Sequence, residues 1–235
     1  MTAQERLIVA LDFKTASEAE QVILTLGEHV SFYKVGLELF LNTGGSILEF
    51  LASQNKRIFL DLKFHDIPNT TAAASRFAAS LNSVSMFNIH ASGGTEMIKE
   101  SIAVKRVDQI LLTVTVLTSL DDSDIIMNFQ SPFNTSELAL NLAKNSKLAG
   151  ANGVVCSALE AQTIKKHCGD KFITVCPGIR FNDSNLGDQK RVLGPKEAIQ
   201  NGADYLVVGR PITADPSPKD AALRMLEQIS QALIS

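Results

Sequence analysis

Short apolar runs alternate with longer amphipathic stretches along the whole chain, and this alternation constrains the fold more than any single motif. Candidate strands fall at about 6–11, 31–35, 57–61, 85–89, 109–115, 152–155, 172–175 and 204–208. Most are continuously apolar, as strands buried on both faces of a parallel sheet are. Helical periodicity fills the gaps, for example from Ala16 to Leu26, Gly45 to Ser53, Thr70 to Leu81, Ser136 to Leu148 and Lys219 to Ile234. Strand followed by helix, eight times over, predicts a parallel (β/α)8 barrel. A doubly wound open sheet is the alternative, but no Gly-x-Gly-x-x-Gly turn follows the first strand. No Ser/Pro-rich linker or low-complexity segment divides the chain, so residues 1–235 are expected to form one barrel domain.

Composition narrows the partners. A net charge of -3 leaves no basic stripe to follow a nucleic-acid backbone, so a nucleotide partner would have to be small. No run approaches the roughly 20 apolar residues of a membrane helix. Residues Met1 to Arg6 lead directly into the first strand without the pattern of a secretory leader. The three cysteines, Cys156, Cys168 and Cys176, lack metal-ligand spacing and read as buried small hydrophobes in a reducing compartment. A soluble, cytoplasmic protein is expected.

In a (β/α)8 barrel the active site gathers at the C-terminal ends of the strands. Those ends are unusually polar here. Asp12 ends the first strand, Lys34 the second, and Asp61-Leu62-Lys63-Phe64-His65-Asp66 follows the apolar run Ile58-Phe59-Leu60. Asp61 and Lys63, two apart on a strand, face the same side and can interact directly. A rim salt-bridge network is the plain structural alternative, but desolvating several charges is costly unless a site uses their field. Asp66, just before Ile67-Pro68, could instead cap the third helix. His65 and His90 have no Glu or Cys at ligand spacing, so no metal site is expected. Asn88-Ile89-His90 closes the fourth strand, with His90 packing or hydrogen-bonding near the site. No Gly-x-Ser-x-Gly elbow or Walker loop is present.

The last two βα loops of such barrels often bind phosphate. Gly209-Arg210 after the eighth strand suits phosphate binding, because glycine lets the backbone approach and arginine adds a two-pronged cation. Arg180, Gln189 and Arg191 lie in or beside the long aperiodic segment 177–194, which reads as a lid or as a disordered stretch.

The ordered set of motifs resembles the orotidine 5'-monophosphate decarboxylase family over essentially the full length. Asp61-Leu62-Lys63-Phe64-His65-Asp66-Ile67-Pro68-Asn69-Thr70 carries the resemblance, with Val9-Ala10-Leu11-Asp12, Tyr33-Lys34-Val35-Gly36, Thr115-Val116-Leu117-Thr118-Ser119, Pro177-Gly178-Ile179-Arg180, Gly187-Asp188-Gln189-Lys190-Arg191 and Val208-Gly209-Arg210-Pro211. The resemblance implies decarboxylation of orotidine 5'-phosphate to UMP without metal or organic cofactor. It implies that Lys63 protonates C6, that Asp61 sits beside the substrate carboxylate, and that Lys34 and Asp66 complete a Lys-Asp-Lys-Asp array. Asp66, Ile67 and Thr70 would come from the partner subunit of a homodimer. Asp12 and Lys34 would hold the ribose, Thr118 the pyrimidine, and Arg180, Gln189, Gly209 and Arg210 the phosphate. Small departures, Cys176, Phe181 and Gly194, touch none of these contacts. A related barrel, 3-keto-L-gulonate 6-phosphate decarboxylase, shares the Asp-x-Lys-x-x-Asp core but uses magnesium. A nucleotide-binding barrel without catalysis is a further alternative.

Overall fold

The structure is a computed structural model that describes residues 1–181 and 191–234. Eight parallel strands close into a barrel in sequence order: β1 Leu7–Ala10, β2 Phe32–Gly36, β3 Arg57–Phe64, β4 Val84–His90, β5 Ile110–Val114, β6 Gly153–Val155, β7 Ile173–Cys176 and β8 Tyr205–Val208. Closure runs through the pairing of β1 with β8, Leu7 opposite Leu206 and Val9 opposite Val208. All eight expected strands are present, and the open-sheet alternative is excluded. The expected helices are also found, displaced by a residue or two at their ends; the third of them runs Pro68–Ser80 rather than from Thr70.

Alternation along each strand divides the core into two layers. One parity, Ile8, Ala10, Phe32, Phe59, Met86, Leu112, Val175, Tyr205 and Val207, fills the barrel interior. The other, including Leu7, Val9, Tyr33, Val35, Ile58, Leu60, Phe87 and Ile89, packs outward against the helices. Continuing the inward parity toward the C-terminal ends gives Lys34 after Phe32, Asp61 after Phe59 and Asn88 after Met86. The interior is therefore apolar below and charged above, which places the site by sequence register alone.

Two of the longer helices are held at their starts by side chains. Thr15 with Glu18, and Asn134 with Glu137, form reciprocal capping boxes that satisfy first-turn N–H groups. Among the described residues no helix is long and apolar enough to cross a membrane.

Candidate active site

A cavity of about 470 Å³ opens at the C-terminal end of the barrel, within the usual range for small-molecule sites. Asp12, Lys34, Asp61, Lys63, Thr118, Arg180, Gly209 and Arg210 all line it. Eight of the expected site residues, drawn from six different strand ends and loops, thus converge on one space.

Its charged floor is a chain of ion pairs. Lys34 Nζ lies 2.9 Å from Asp12 Oδ1 and 3.3 Å from Asp61 Oδ2, and Lys63 Nζ lies 2.7 Å from Asp61 Oδ1. Asp61 and Lys34 are buried, whereas the Lys63 side chain is 31% exposed and so within reach of a ligand in the cavity. Burial pushes the Asp61 carboxyl up, but Lys34, Lys63 and the amide of Asn88 outweigh it and hold the group below the ordinary carboxylate value. Burial likewise pushes the Lys34 ammonium down, and Asp61 with Asp12 more than reverses it. Both partners shift in the direction that keeps the pair charged.

Simple alternation does not account for the Asp61–Lys63 contact. Leu60 pairs with Phe87 and Phe64 with Ile89, so Asp61, Leu62 and Lys63 together stand opposite the single residue Asn88. In this bulge Lys63 adopts φ 49°, a left-handed conformation that costs a non-glycine residue about 1–2 kcal/mol. The buried Asn88 bridges the gap. Its Oδ1 accepts from the Lys63 backbone N–H at 2.8 Å, and its Nδ2 donates to Asp61 Oδ1 at 2.7 Å. Sequence reading assigns Asn88 no role beyond ending the strand; the available signal is an amide interrupting the apolar run Met86-Phe87-Asn88-Ile89.

Glu160 is a second residue missed. Arg191 ion-pairs with Glu160 Oε1 and donates to the carbonyls of Val116 and Leu117, while the Ser157 N–H donates to Glu160 Oε2. Burial raises the Glu160 carboxyl and Arg191 opposes it. Arg191 thereby ties the loops after β5 and β6 to the chain after residue 190, beside Thr118. Gln189 lies outside the described residues.

Asp66, Ile67 and Thr70 do not line the cavity of their own chain. They sit exposed at the start of the helix Pro68–Ser80, with Ile67 67% accessible. Asp66 does not cap that helix: Ile67 is the N-cap and makes no side-chain cap bond, and Asp66 Oδ1 accepts only from the adjacent Ile67 N–H at 2.6 Å. Pro68, at the first helical position, supplies the fixed φ that starts the helix. His65 and His90 stack with ring centroids 4.9 Å apart. Burial, then His65 and Lys63, hold the His90 imidazole below its ordinary value. Among the described residues no three His, Cys, Asp or Glu side chains are grouped to hold a metal ion. Cys156, Cys168 and Cys176 are buried and form no disulfide, and the Cys156 and Cys176 sulfurs share a hydrogen bond at 4.0 Å.

Comparison with known proteins agrees with this geometry. A family model described as "Orotidine 5'-phosphate decarboxylase / HUMPS family" matches residues 5–225. A relative from Carboxydothermus hydrogenoformans named orotidine 5'-phosphate decarboxylase is 47% identical, covering 97% of this chain and 98% of its own. One of the same name from Nostoc sp. is 44% identical, again over 97% and 98% of the two chains. The crystal structure of orotidine 5'-phosphate decarboxylase from Lactobacillus acidophilus superposes with a TM-score of 0.82 at 38% identity, covering 95% of this chain and 98% of that one. The chain belongs to the orotidine 5'-phosphate decarboxylase / HUMPS family.

Proposed function

We propose that the cavity holds orotidine 5'-phosphate with its C6 carboxylate against Asp61 and Lys63, and that the Lys63 ammonium delivers the proton that replaces carbon dioxide. The overall reaction is that of the named relatives: the chain is a carboxy-lyase that converts orotidine 5'-phosphate to UMP in pyrimidine biosynthesis. The observation that carries the assignment of roles is the buried Asp61 carboxylate, held charged beside a partly accessible Lys63.

The chemistry follows from these charges. Asp61 repels a substrate carboxylate brought next to it, and that repulsion disappears as neutral carbon dioxide departs. Negative charge then collects at C6, where the ammonium of Lys63 attracts it and supplies its proton; C6–H forms as C6–CO2 breaks, and the lysine is left neutral. Two unit charges 4 Å apart at an effective dielectric of 20 interact by roughly 4 kcal/mol. Large enzymatic accelerations, up to about 10¹⁷-fold, need as much as about 23 kcal/mol, so one charge pair is insufficient. Binding energy from the remote phosphate supplies more when it is spent on aligning C6 with Lys63. Arg180, Gly209 and Arg210 are assigned to the phosphate together with Gln189, Asp12 and Lys34 to the ribose, and Thr118 to the pyrimidine.

The active form is taken to be a homodimer in which Asp66, Ile67 and Thr70 complete the partner's cavity, in keeping with their exposure away from their own. The reaction is taken to proceed without metal or cofactor, in the cytoplasm.

The test is the ultraviolet absorbance of orotidine 5'-phosphate mixed with EDTA-treated protein, with the product identified as UMP. Rapid loss of the orotate signal is expected. Loss of activity with EDTA and its return with magnesium would instead favour the magnesium-dependent relative's chemistry. Lys63→Ala is expected to abolish turnover while nucleotide affinity persists, and near-normal turnover would refute the proton-donor role.

A further inference from the structure

We propose that Asn88 is a positioning residue for this reaction, a clamp that fixes both Asp61 and Lys63 from the opposite strand. The inference rests on the reading of Lys63 and Asp61 given above and deepens it.

Three observations support it independently of one another. First, the β3 bulge sets three residues of β3, Asp61, Leu62 and Lys63, opposite one residue of β4, so the regular backbone ladder is interrupted where the charged residues lie. Asn88 replaces it with a side chain. Second, the amide uses its two ends differently. The oxygen accepts the Lys63 backbone N–H, and the nitrogen donates to the Asp61 oxygen that also receives Lys63 Nζ. Neither a carboxylate nor a hydroxyl of that length can offer both a neutral acceptor and an N–H donor at those two points. Third, Asn88 is 0% exposed and reaches no solvent that could substitute for either bond.

The position of Lys63 makes the clamp consequential. Among described residues, Lys63, Asn55 and Gln130 are the non-glycine positions with positive φ. Gln130 is a helix C-cap and Asn55 follows one, where such a conformation is ordinary; Lys63 alone lies within a strand. A strained conformation persists when its surroundings over-determine it. At Lys63 the bond from its own N–H to Asn88 holds the backbone in place, and the same amide fixes the carboxylate to which the lysine's ammonium points. Asn88 touches no reacting atom. It sets where the proton donor and the adjacent negative charge stand.

The experiment compares wild type, Asn88→Ala and Asn88→Asp, measuring kcat, KM, UMP affinity and the pH dependence of kcat. Asn88→Asp preserves shape and the acceptor for Lys63 while replacing the amide donor to Asp61 with a second carboxyl, which either repels Asp61 or shares a proton with it. Loss of a hydrogen bond to a charged group predicts a fall in kcat of about 10- to 100-fold in each variant. UMP affinity should stay within about threefold, because the ribose and phosphate contacts lie elsewhere. The acid limb of kcat should move to higher pH in both, since Asp61 loses a donor that favours its charged form. A kcat within about threefold of wild type, or an unmoved acid limb, overturns the proposal. Failure of both variants to fold, judged by thermal melting, also overturns it in favour of a purely structural role. Should the wild type itself not turn over orotidine 5'-phosphate, the reaction assigned above falls, and the clamp is then decided by ¹³C NMR titration of the Asp61 carboxyl. A midpoint higher in Asn88→Ala than in wild type supports it, and equal midpoints overturn it.

Discussion

At the scale of single residues, the buried Asp61–Lys34 pair ties the site's chemistry to the protein's stability. Asp61 is held below its ordinary value of 3.8, so its share of stability is complete above that pH and is lost as pH falls through the lower folded value. Lys34 is held above its ordinary 10.5, so its share is complete below that pH and is lost as pH rises through the higher folded value. Removing one partner of a buried pair costs about 3–5 kcal/mol when the other charge is left uncompensated, and less here because Asp12 still stands 2.9 Å from Lys34. Asp61→Asn should therefore be destabilised near neutrality, with the difference from wild type shrinking below pH 3.8 and again above 10.5. Chemical denaturation of both proteins across pH gives that difference directly, and a gap independent of pH would refute the coupling. Asp12, Lys34 and Asp61 are legible in the sequence because each stands where an apolar strand ends and the strand's parity carries it inward; Lys63 is legible by its place two residues beyond Asp61, although a bulge rather than parity turns it to the cavity. Asn88 and Glu160 are not, because each acts on a residue distant in the chain, and Asn88 opposes Lys63 only through a bulge. The left-handed backbone of Lys63 has no signature either, since lysine is a residue that rarely adopts it.

The strands, as elements, depend on close approach at one position in particular. Gly153 begins β6 opposite Ile173 of β7, and a Cβ placed on it would lie 2.2 Å from the Ile173 carbonyl oxygen. That obstacle is backbone and cannot rotate away, so β6 and β7 would have to separate. Gly153→Ala is expected to destabilise the barrel by about 1–3 kcal/mol, the usual cost of overfilling a packed interior. The urea midpoint measures it, and an unchanged midpoint would show that the two strands can part freely. Strand and helix order are the most legible part of this fold, because period-2 and period-3.6 apolar patterns are written locally. Element ends are less so. The helix read from Thr70 begins at Pro68, where the fixed φ of proline, rather than any apolar residue, starts the first turn.

For the molecule as a whole, the distribution of the charged motif is the informative fact. Within six residues the chain places Asp61 and Lys63 inside its own cavity and Asp66 outside it, exposed at the start of a helix. Ile67, next to Asp66, is 67% exposed, and on the same helix Phe77 is 45% exposed and stacked edgewise on Phe40 of the helix Leu37–Thr43, where Leu41 is 72% exposed. In the homodimer proposed above, these exposed apolar side chains would be buried against the second copy and each Asp66 would complete the other subunit's site. The arrangement predicts complementation between two inactive variants. In a dimer of Lys63→Ala with Asp66→Ala, one site carries both substitutions and the other carries neither. Refolding an equimolar mixture distributes subunits at random, so half the dimers are mixed and about a quarter of all sites are intact. Activity should rise from near zero in either variant alone to about a quarter of the wild-type value. If Asp66 instead acted in its own chain, every site in the mixture would retain one defect and no activity would return. The assay thus distinguishes a shared site from two separate ones.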